Sequence, residues 1–255
     1  VGKNKIARWA ELGTFPNVIQ PAAEDVSGKP HPVRGNWRRD IFRNDNPVVL
    51  ELACGRGEYT TSLSSIFPGR NFIGIDIKGA RMWRGAKTAS ETGLSNTAFL
   101  RTRIEFISSF FAEDEVDEIW MIFPDPHPGK RNSNKRLTCP WFLEKYRVIM
   151  KDGGLIHLKT DNFELFNYTR NLALSNSLEI LFETSDLYSP GAAKMAEVGK
   201  AWSGGEAQEN TRTERILGIR THYEDIFLKD GMKICHLAFR LEKDKKISDA
   251  GKEKG

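Results

Sequence analysis

Glu51-x-x-Cys54-Gly55-x-Gly57 closes a short apolar run, and Asp76 stands 19 residues past Gly57. Glycines in a strand-to-helix turn let backbone close on a ligand, although Gly-x-Gly by itself also serves a plain tight turn. Glu51 separates the possibilities. A dinucleotide would lay its pyrophosphate on this loop and on the helix N-terminus after it, where a carboxylate repels it. Position 60 is moreover Thr, where the dinucleotide fingerprint wants Gly or Ala. S-adenosylmethionine carries an ammonium and a sulfonium, which give Glu51 a cation to pair with. Asp76 would then accept from both ribose hydroxyls, as a two-oxygen acceptor can.

A second group of residues lies downstream. Phe123-Pro124-Asp125-Pro126-His127-Pro128 packs three prolines into six residues straight after an apolar run, fixing a rigid loop that displays Asp125. Lys130, Arg131, Lys135 and Arg136 follow, then Lys159-Thr160-Asp161-Asn162, and finally Thr221-His222-Tyr223-Glu224. The four cations suit phosphates. Taken singly, each piece has an ordinary reading: Asp161-Asn162 as a helix cap, Tyr223 as core, Lys135-Arg136 as a solvated face, His127 as a packing residue.

The elements that must hold these residues follow from periodicity. Pro47–Leu52, Asn71–Asp76, Thr97–Leu100, Ile119–Phe123 and Leu155–Lys159 read as buried strands. Glu58–Ile66, Lys78–Thr92 and Leu137–Met150 read as helices, the last stopped by Asp152-Gly153-Gly154. Strand and helix alternating in this way predict an α/β fold, a doubly wound and mostly parallel sheet with helices on both faces. Leu178–Glu183 and Met232–Leu241 bring the strands to seven. The turn Lys229-Asp230-Gly231 points to a last strand inserted antiparallel at the sheet edge. Residues 1–46 read as an extended basic arm with a short helix near Ile6–Leu12, 47–242 as the methyltransferase domain, 185–220 as a mobile loop or insertion, and 243–255 as a disordered tail.

Composition narrows the class. A chain of 255 residues allows one large domain, and no apolar run approaches the roughly 18 residues needed to span a bilayer. No signal segment is evident, and Val1 in place of Met points to a trimmed start. Cys54, Cys139 and Cys235 lie far apart, so neither a disulfide framework nor a zinc site is expected, in keeping with a cytoplasmic protein. The net charge of +4 is unevenly spread: Asp125 to Lys151 holds seven basic residues against two acidic, and the first 46 residues hold eight against five. Both stretches are candidate phosphate-contacting surfaces.

In the order and spacing of these motifs the chain resembles the bacterial tRNA (guanine-N7)-methyltransferase family. The family patterns are Phe-x-Asp-Pro-Trp-Pro-Lys-Lys-Arg-His-x-Lys-Arg-Arg-Leu, Lys-Thr-Asp-Asn and Thr-x-Tyr-Glu, and the likeness runs over about residues 45–240. His127 stands where the pattern has Trp, and Gly129 where it has Lys. The resemblance implies a Rossmann-like class I methyltransferase fold, S-adenosylmethionine as cofactor, tRNA as partner, no obligatory metal, and a monomer or homodimer. It places Glu51, Asp76 and Asp125 on cofactor-contacting positions and Asp161, Thr221, Tyr223 and Glu224 on substrate-contacting ones, with guanosine 46 of the variable loop as target. Gly55 and Gly57 belong to the cofactor loop. Near Arg103, where the family expects an acidic residue for the adenine, Glu105 is the nearest carboxylate.

The chemistry fits that set. N7 of guanine is an in-plane lone pair with no proton to lose, so no general base is required, and positioning and electrostatics carry the rate. A carboxylate such as Asp161 or Glu224 can accept from guanine N1–H and N2–H, leaving the N7 edge open, while Asp125 can stabilise the charge that develops. Tyr223 is placed to stack on a base. Two rivals remain: a methyltransferase of another RNA base or of a protein amine, and a non-catalytic RNA-binding protein that keeps a Rossmann-like fold.

Overall fold

All five residues of Val48–Leu52 and all six of Asn71–Asp76 are buried, the pattern of parallel strands covered on both faces. The computed structural model describes residues 3–26, 28–189, 215–216 and 218–248. Its elements are α1 (Lys3–Leu12), β1 (Val18–Ile19), α2 (Ala23–Val26), a π-helical turn (Trp37–Phe42), β2 (Val48–Leu52), α3 (Glu58–Ile66), β3 (Asn71–Asp76), α4 (Gly79–Glu91), β4 (Thr97–Arg101) and β5 (Val116–Ile122). There follow α5 (Pro140–Ile149), β6 (Met150–Thr160), α6 (Phe163–Ser175), β7 (Ile180–Thr184), α7 (His222–Lys229) and β8 (Cys235–Leu241). The strands are ordered β1-β4-β3-β2-β5-β6-β8-β7. This is the doubly wound α/β sheet expected, with eight strands among the described residues rather than seven. The extra one, β1, is two residues long and pairs in parallel with Phe99 and Leu100, too short to leave a periodic signal.

The chain forms two compact units, Val1–Ile119 with Val148–Lys151, and Trp120–Arg147 with Asp152–Gly255. In the first, β2, β3 and β4 run parallel, and the register sets Asp76 opposite Arg101 at their carboxyl ends. The N-terminal 46 residues are not an extended arm. Leu12, Val26, Val33, Trp37 and Phe42 are buried, and the Trp37 indole donates to the Phe110 carbonyl at 2.9 Å while stacking on Phe111. Each short element supplies one or two large anchors, so no period builds up along the segment. The acidic stretch before Ile119 is likewise structured, because its carboxylates have partners. Glu115 accepts from three backbone amides, Asp117 pairs with Arg38 at 2.9 Å and Lys151 at 2.5 Å, and Glu118 pairs with Arg70 at 3.1 Å. β5 therefore starts at Val116 instead of Ile119.

In the second unit, β8 is antiparallel to both its neighbours. It lies inside the sheet, between β6 and β7, and not at the edge as its turn implied; β7 takes the edge. Its buried run, Cys235 to Phe239 and Leu241, is what an inner strand requires. Asp152-Gly153-Gly154 does not stop a helix. α5 ends at Ile149 and β6 begins at Met150, running through both glycines, with Gly153 at φ 66°. Residues 243–248 are packed where the sequence pointed to disorder: Ile247 is buried with its amide on Glu144 at 2.7 Å, and the Ser248 amide donates to Asn176 at 2.8 Å. Of the expected loop, 190–214 and 217 lie outside the described residues, as do 249–255 of the tail. Among the described residues no helix is long and apolar enough to cross a membrane, and no cluster of three or more His, Cys, Asp or Glu could hold a metal.

Candidate active site

The loop after β2 owes its shape to backbone. Ala53, Gly55 and Gly57 all have positive φ, at 58°, 54° and 67°. Gly57 opens α3, and a Cβ there would sit 2.6 Å from the Phe99 ring; one on Gly85 of α4 would meet the Arg56 carbonyl at 2.7 Å and Gly57 Cα at 2.9 Å. The loop and α4 thus touch backbone to backbone, which only glycine permits.

Both carboxylates expected at this loop are built into it. Asp76 accepts from the Gly55 amide at 2.8 Å through Oδ2 and from the Lys78 amide at 2.7 Å through Oδ1, which holds the glycine turn against the end of β3. Each oxygen keeps a further lone pair for a hydroxyl. Glu51, 5 % exposed, accepts from the Thr60 amide at 2.7 Å and from the Thr60 hydroxyl. Thr60 was legible only as the residue that spoils a dinucleotide fingerprint; its role is to orient Glu51. Burial pushes the Glu51 carboxyl up to about 8, against the pull of both Thr60 bonds, and Asp76 and Glu58 push in the same direction as burial. The charges acting on Glu51 are therefore acidic ones, and a cation brought beside it would favour the ionised carboxylate. Burial also holds the Cys54 thiol well above its ordinary range. Glu105 sits in a short 3-10 turn, Ile104–Ser109, with the Arg103 guanidinium at 2.8 Å, so the charge near the end of β4 is basic as well as acidic.

The second unit holds the remaining residues. Phe123 and His127 take positive φ, 48° and 44°, in the proline-rich loop, and the Phe123 amide donates to the Lys159 carbonyl at 2.8 Å. Asp125 is exposed. Lys130, Arg131 and Lys135 are exposed on the 3-10 turn Lys130–Lys135, open to phosphate. Arg136 is different. It is buried, bridges Glu164 at 2.5 Å, lies over the Tyr168 ring at 4.5 Å, and donates to the carbonyls of Pro126 and His127 at 3.1 and 3.2 Å. Glu164 also accepts from the Gly129 amide at 3.2 Å. Arg136 and Glu164 thus mould the Asp125 loop, a role the sequence did not disclose for either.

At the end of β6 the two candidate functions separate. Asn162 caps α6, its Oδ1 accepting from the Leu165 amide at 2.8 Å. Its neighbour Asp161 is half-buried, and burial raises its carboxyl above the ordinary range. Thr221 and Glu224 form a reciprocal capping box at the start of α7. Glu224 is fully buried, with Lys159 Nζ at 2.7 Å and the Tyr188 hydroxyl donating to the same oxygen. Tyr223 is exposed, at 41 %, as is His222 beside it. Sequence reasoning passed over Lys159, although a lysine ending an apolar strand was a signal of a buried charge with a partner.

A mostly parallel α/β sheet with a glycine loop after one strand and a carboxylate ending the next is a Rossmann-like arrangement, and the acidic Glu51 beside that loop suits the cationic cofactor of class I methyltransferases. Comparison with known proteins agrees. The model of a family described as putative methyltransferase matches residues 45–235. A solved structure titled as an antibiotic-related methyltransferase shares the fold, with a TM-score of 0.54 at 16 % identity over 85 % of this chain and 98 % of that one. Proteins named tRNA (guanine-N(7)-)-methyltransferase are far more similar in sequence. The one from Porphyromonas gingivalis is 48 % identical over 90 % of this chain and 86 % of its own length, and that from Bacteroides fragilis 41 % over 98 % and 90 %. The chain belongs to this methyltransferase family.

Proposed function

We propose that the protein transfers a methyl group from S-adenosylmethionine to N7 of a guanine in tRNA, guanosine 46 of the variable loop. The observation that carries the reading is the acidic, amide-braced loop of Glu51 and Asp76 in a chain 48 % identical to a relative of that name. S-adenosylmethionine supplies the electrophilic methyl. Glu51 pairs with its cationic end, Asp76 accepts from its ribose hydroxyls, and Gly55 and Gly57 let backbone lie against it.

The guanine N7 lone pair forms a bond to the methyl carbon as the carbon–sulfur bond breaks, so sulfonium becomes thioether and the ring gains the positive charge. No proton moves. Asp161 is the acceptor for N1–H and N2–H, because Asn162 supplies the cap and Glu224 is committed to Lys159. Asp125 stabilises the cationic ring, Tyr223 stacks on a base, and Lys130, Arg131 and Lys135 contact phosphates. Incubation with labelled cofactor and unmodified tRNA, followed by cleavage specific for 7-methylguanosine, should map label to position 46; label in adenosine or in protein would overturn the reading. Asp161→Ala is expected to keep cofactor affinity within about threefold while transfer falls by about 10²-fold or more. Loss of cofactor affinity instead would remove Asp161 from the guanine.

A further inference from the structure

Glu224 lies one residue from the exposed Tyr223 and, through Lys159, two residues from Asp161. Its carboxylate gathers three separate stretches of chain. From β6 comes Lys159, 1 % exposed, whose Nζ also reaches the Ile219 carbonyl at 3.4 Å. From the segment after β7 comes the Tyr188 hydroxyl, on a stretch whose Leu187 amide is itself tied to the Ile234 carbonyl at 2.7 Å. From α7 comes the capping box, where Thr221 Oγ1 accepts from the Glu224 amide at 3.2 Å and Glu224 Oε2 accepts from the Thr221 amide at 3.4 Å. Arg220 lies over the Tyr188 ring at 5.0 Å, on the tyrosine that donates to this carboxylate.

Two charges taken out of water cost free energy that their attraction does little more than offset, so such a pair is weak evidence of a stabilising device. What it fixes is geometry: a buried carboxylate with this many donors has one arrangement that satisfies them all. At 0 % exposed, a carboxylate engaged in this way is closed to a nucleobase. We infer that Lys159, Glu224 and Tyr188 form a buried clasp that positions Asp161 and the start of α7 for the guanine, Glu224 acting through the fold and not on the substrate. This rests on the tRNA guanine-N7 reading above.

The test is a double-variant cycle on the full chain with Lys159→Met, Glu224→Gln and the two combined. Gln keeps the capping box, and Met keeps the volume of the lysine stem. Each single variant leaves one buried charge unpaired and should lose about tenfold or more in kcat/KM for tRNA, with S-adenosylmethionine affinity within about twofold of wild type. The combined variant, with both charges gone, should recover to within about threefold of wild type. A folded combined variant no more active than Glu224→Gln would overturn the clasp and place the carboxylate on the guanine. Should a single variant fail to fold, the combined one still decides, because it lacks the carboxylate. Tyr188→Phe keeps both charges and should lower kcat for tRNA by about threefold without moving the cofactor KM; unchanged kcat would count against the proposal. Wild-type protein that makes no 7-methylguanosine would sink the functional reading instead. The clasp would then be judged on thermal unfolding of the same four proteins: single variants well below wild type and the combined one near it support it, and additive losses overturn it.

Discussion

The carboxylates of the two units are held in different ways. In the first unit, Glu51 and Asp76 accept the amides of Thr60, Gly55 and Lys78, none more than 21 residues away, so the proposed cofactor site is braced largely by nearby backbone. In the second, Asp125 is exposed, Asp161 is half-buried, and Glu224 is locked to side chains from distant segments. A small ligand rewards the first arrangement. The second suits a macromolecular substrate, whose base must be admitted to a site with an open side before it is held.

Gly57→Ala breaks the first half of this contrast most severely. The added methyl would sit 2.6 Å from the Phe99 ring at φ 67°, so backbone strain and overpacking combine to a loss of about 2–4 kcal/mol in unfolding free energy, with weakened cofactor binding. Gly55→Ala has only a carbonyl at 4.0 Å to meet and should lose about 1–2 kcal/mol. Equal losses in denaturant titration would mean that φ alone, and not the close contact, shapes the loop.

Glu51→Gln sharpens the contrast through pH. The folded-state value of about 8 lies above the ordinary 4.5, so the folded protein holds a proton that the unfolded chain gives up. The stability this contributes is present below about 4.5 and lost as pH rises through about 8. Relative to wild type, Glu51→Gln should therefore gain on the order of 1–2 kcal/mol between pH 5 and pH 9 in the cofactor-free protein. A pH-independent difference would show that Glu51 is already ionised when the loop is empty of ligand. The smallest effects belong to the exposed cations. Lys130→Ala and Lys135→Ala should each raise the KM for tRNA about threefold and reduce the log–log salt slope by about 1, leaving the melting temperature unchanged.

The cofactor half was the more legible in sequence because its signals are local: Glu51, Gly55 and Gly57 share one turn, and Asp76 ends the next strand. Thr60 showed only as a misfit, since nothing in a sequence says that a hydroxyl one helical turn on reaches back to a strand carboxylate. The substrate half misled in a regular way. Arg136 read as one of four phosphate contacts, yet its partner Glu164 is 28 residues away, and it is buried while Lys135 beside it is exposed. Glu224 read as a guanine acceptor for the same reason: charge is visible along a sequence, but burial and pairing are settled by distant segments. The strand count, the place of β8 and the packed N-terminal 46 residues were missed because two-residue pairings and isolated aromatic anchors leave no period.

The contact between the glycine loop and α4 has an evolutionary consequence. A Cβ on Gly57 meets the Phe99 ring at 2.6 Å and one on Gly85 meets the Arg56 carbonyl at 2.7 Å and Gly57 Cα at 2.9 Å, so a larger residue at either position is rejected by its surroundings. The two sites share these neighbours, so a change tolerated at one depends on what stands at Phe99 and at the other. A mutational scan should find positions 57 and 85 among the least permissive in the chain, although neither carries an atom that could do chemistry.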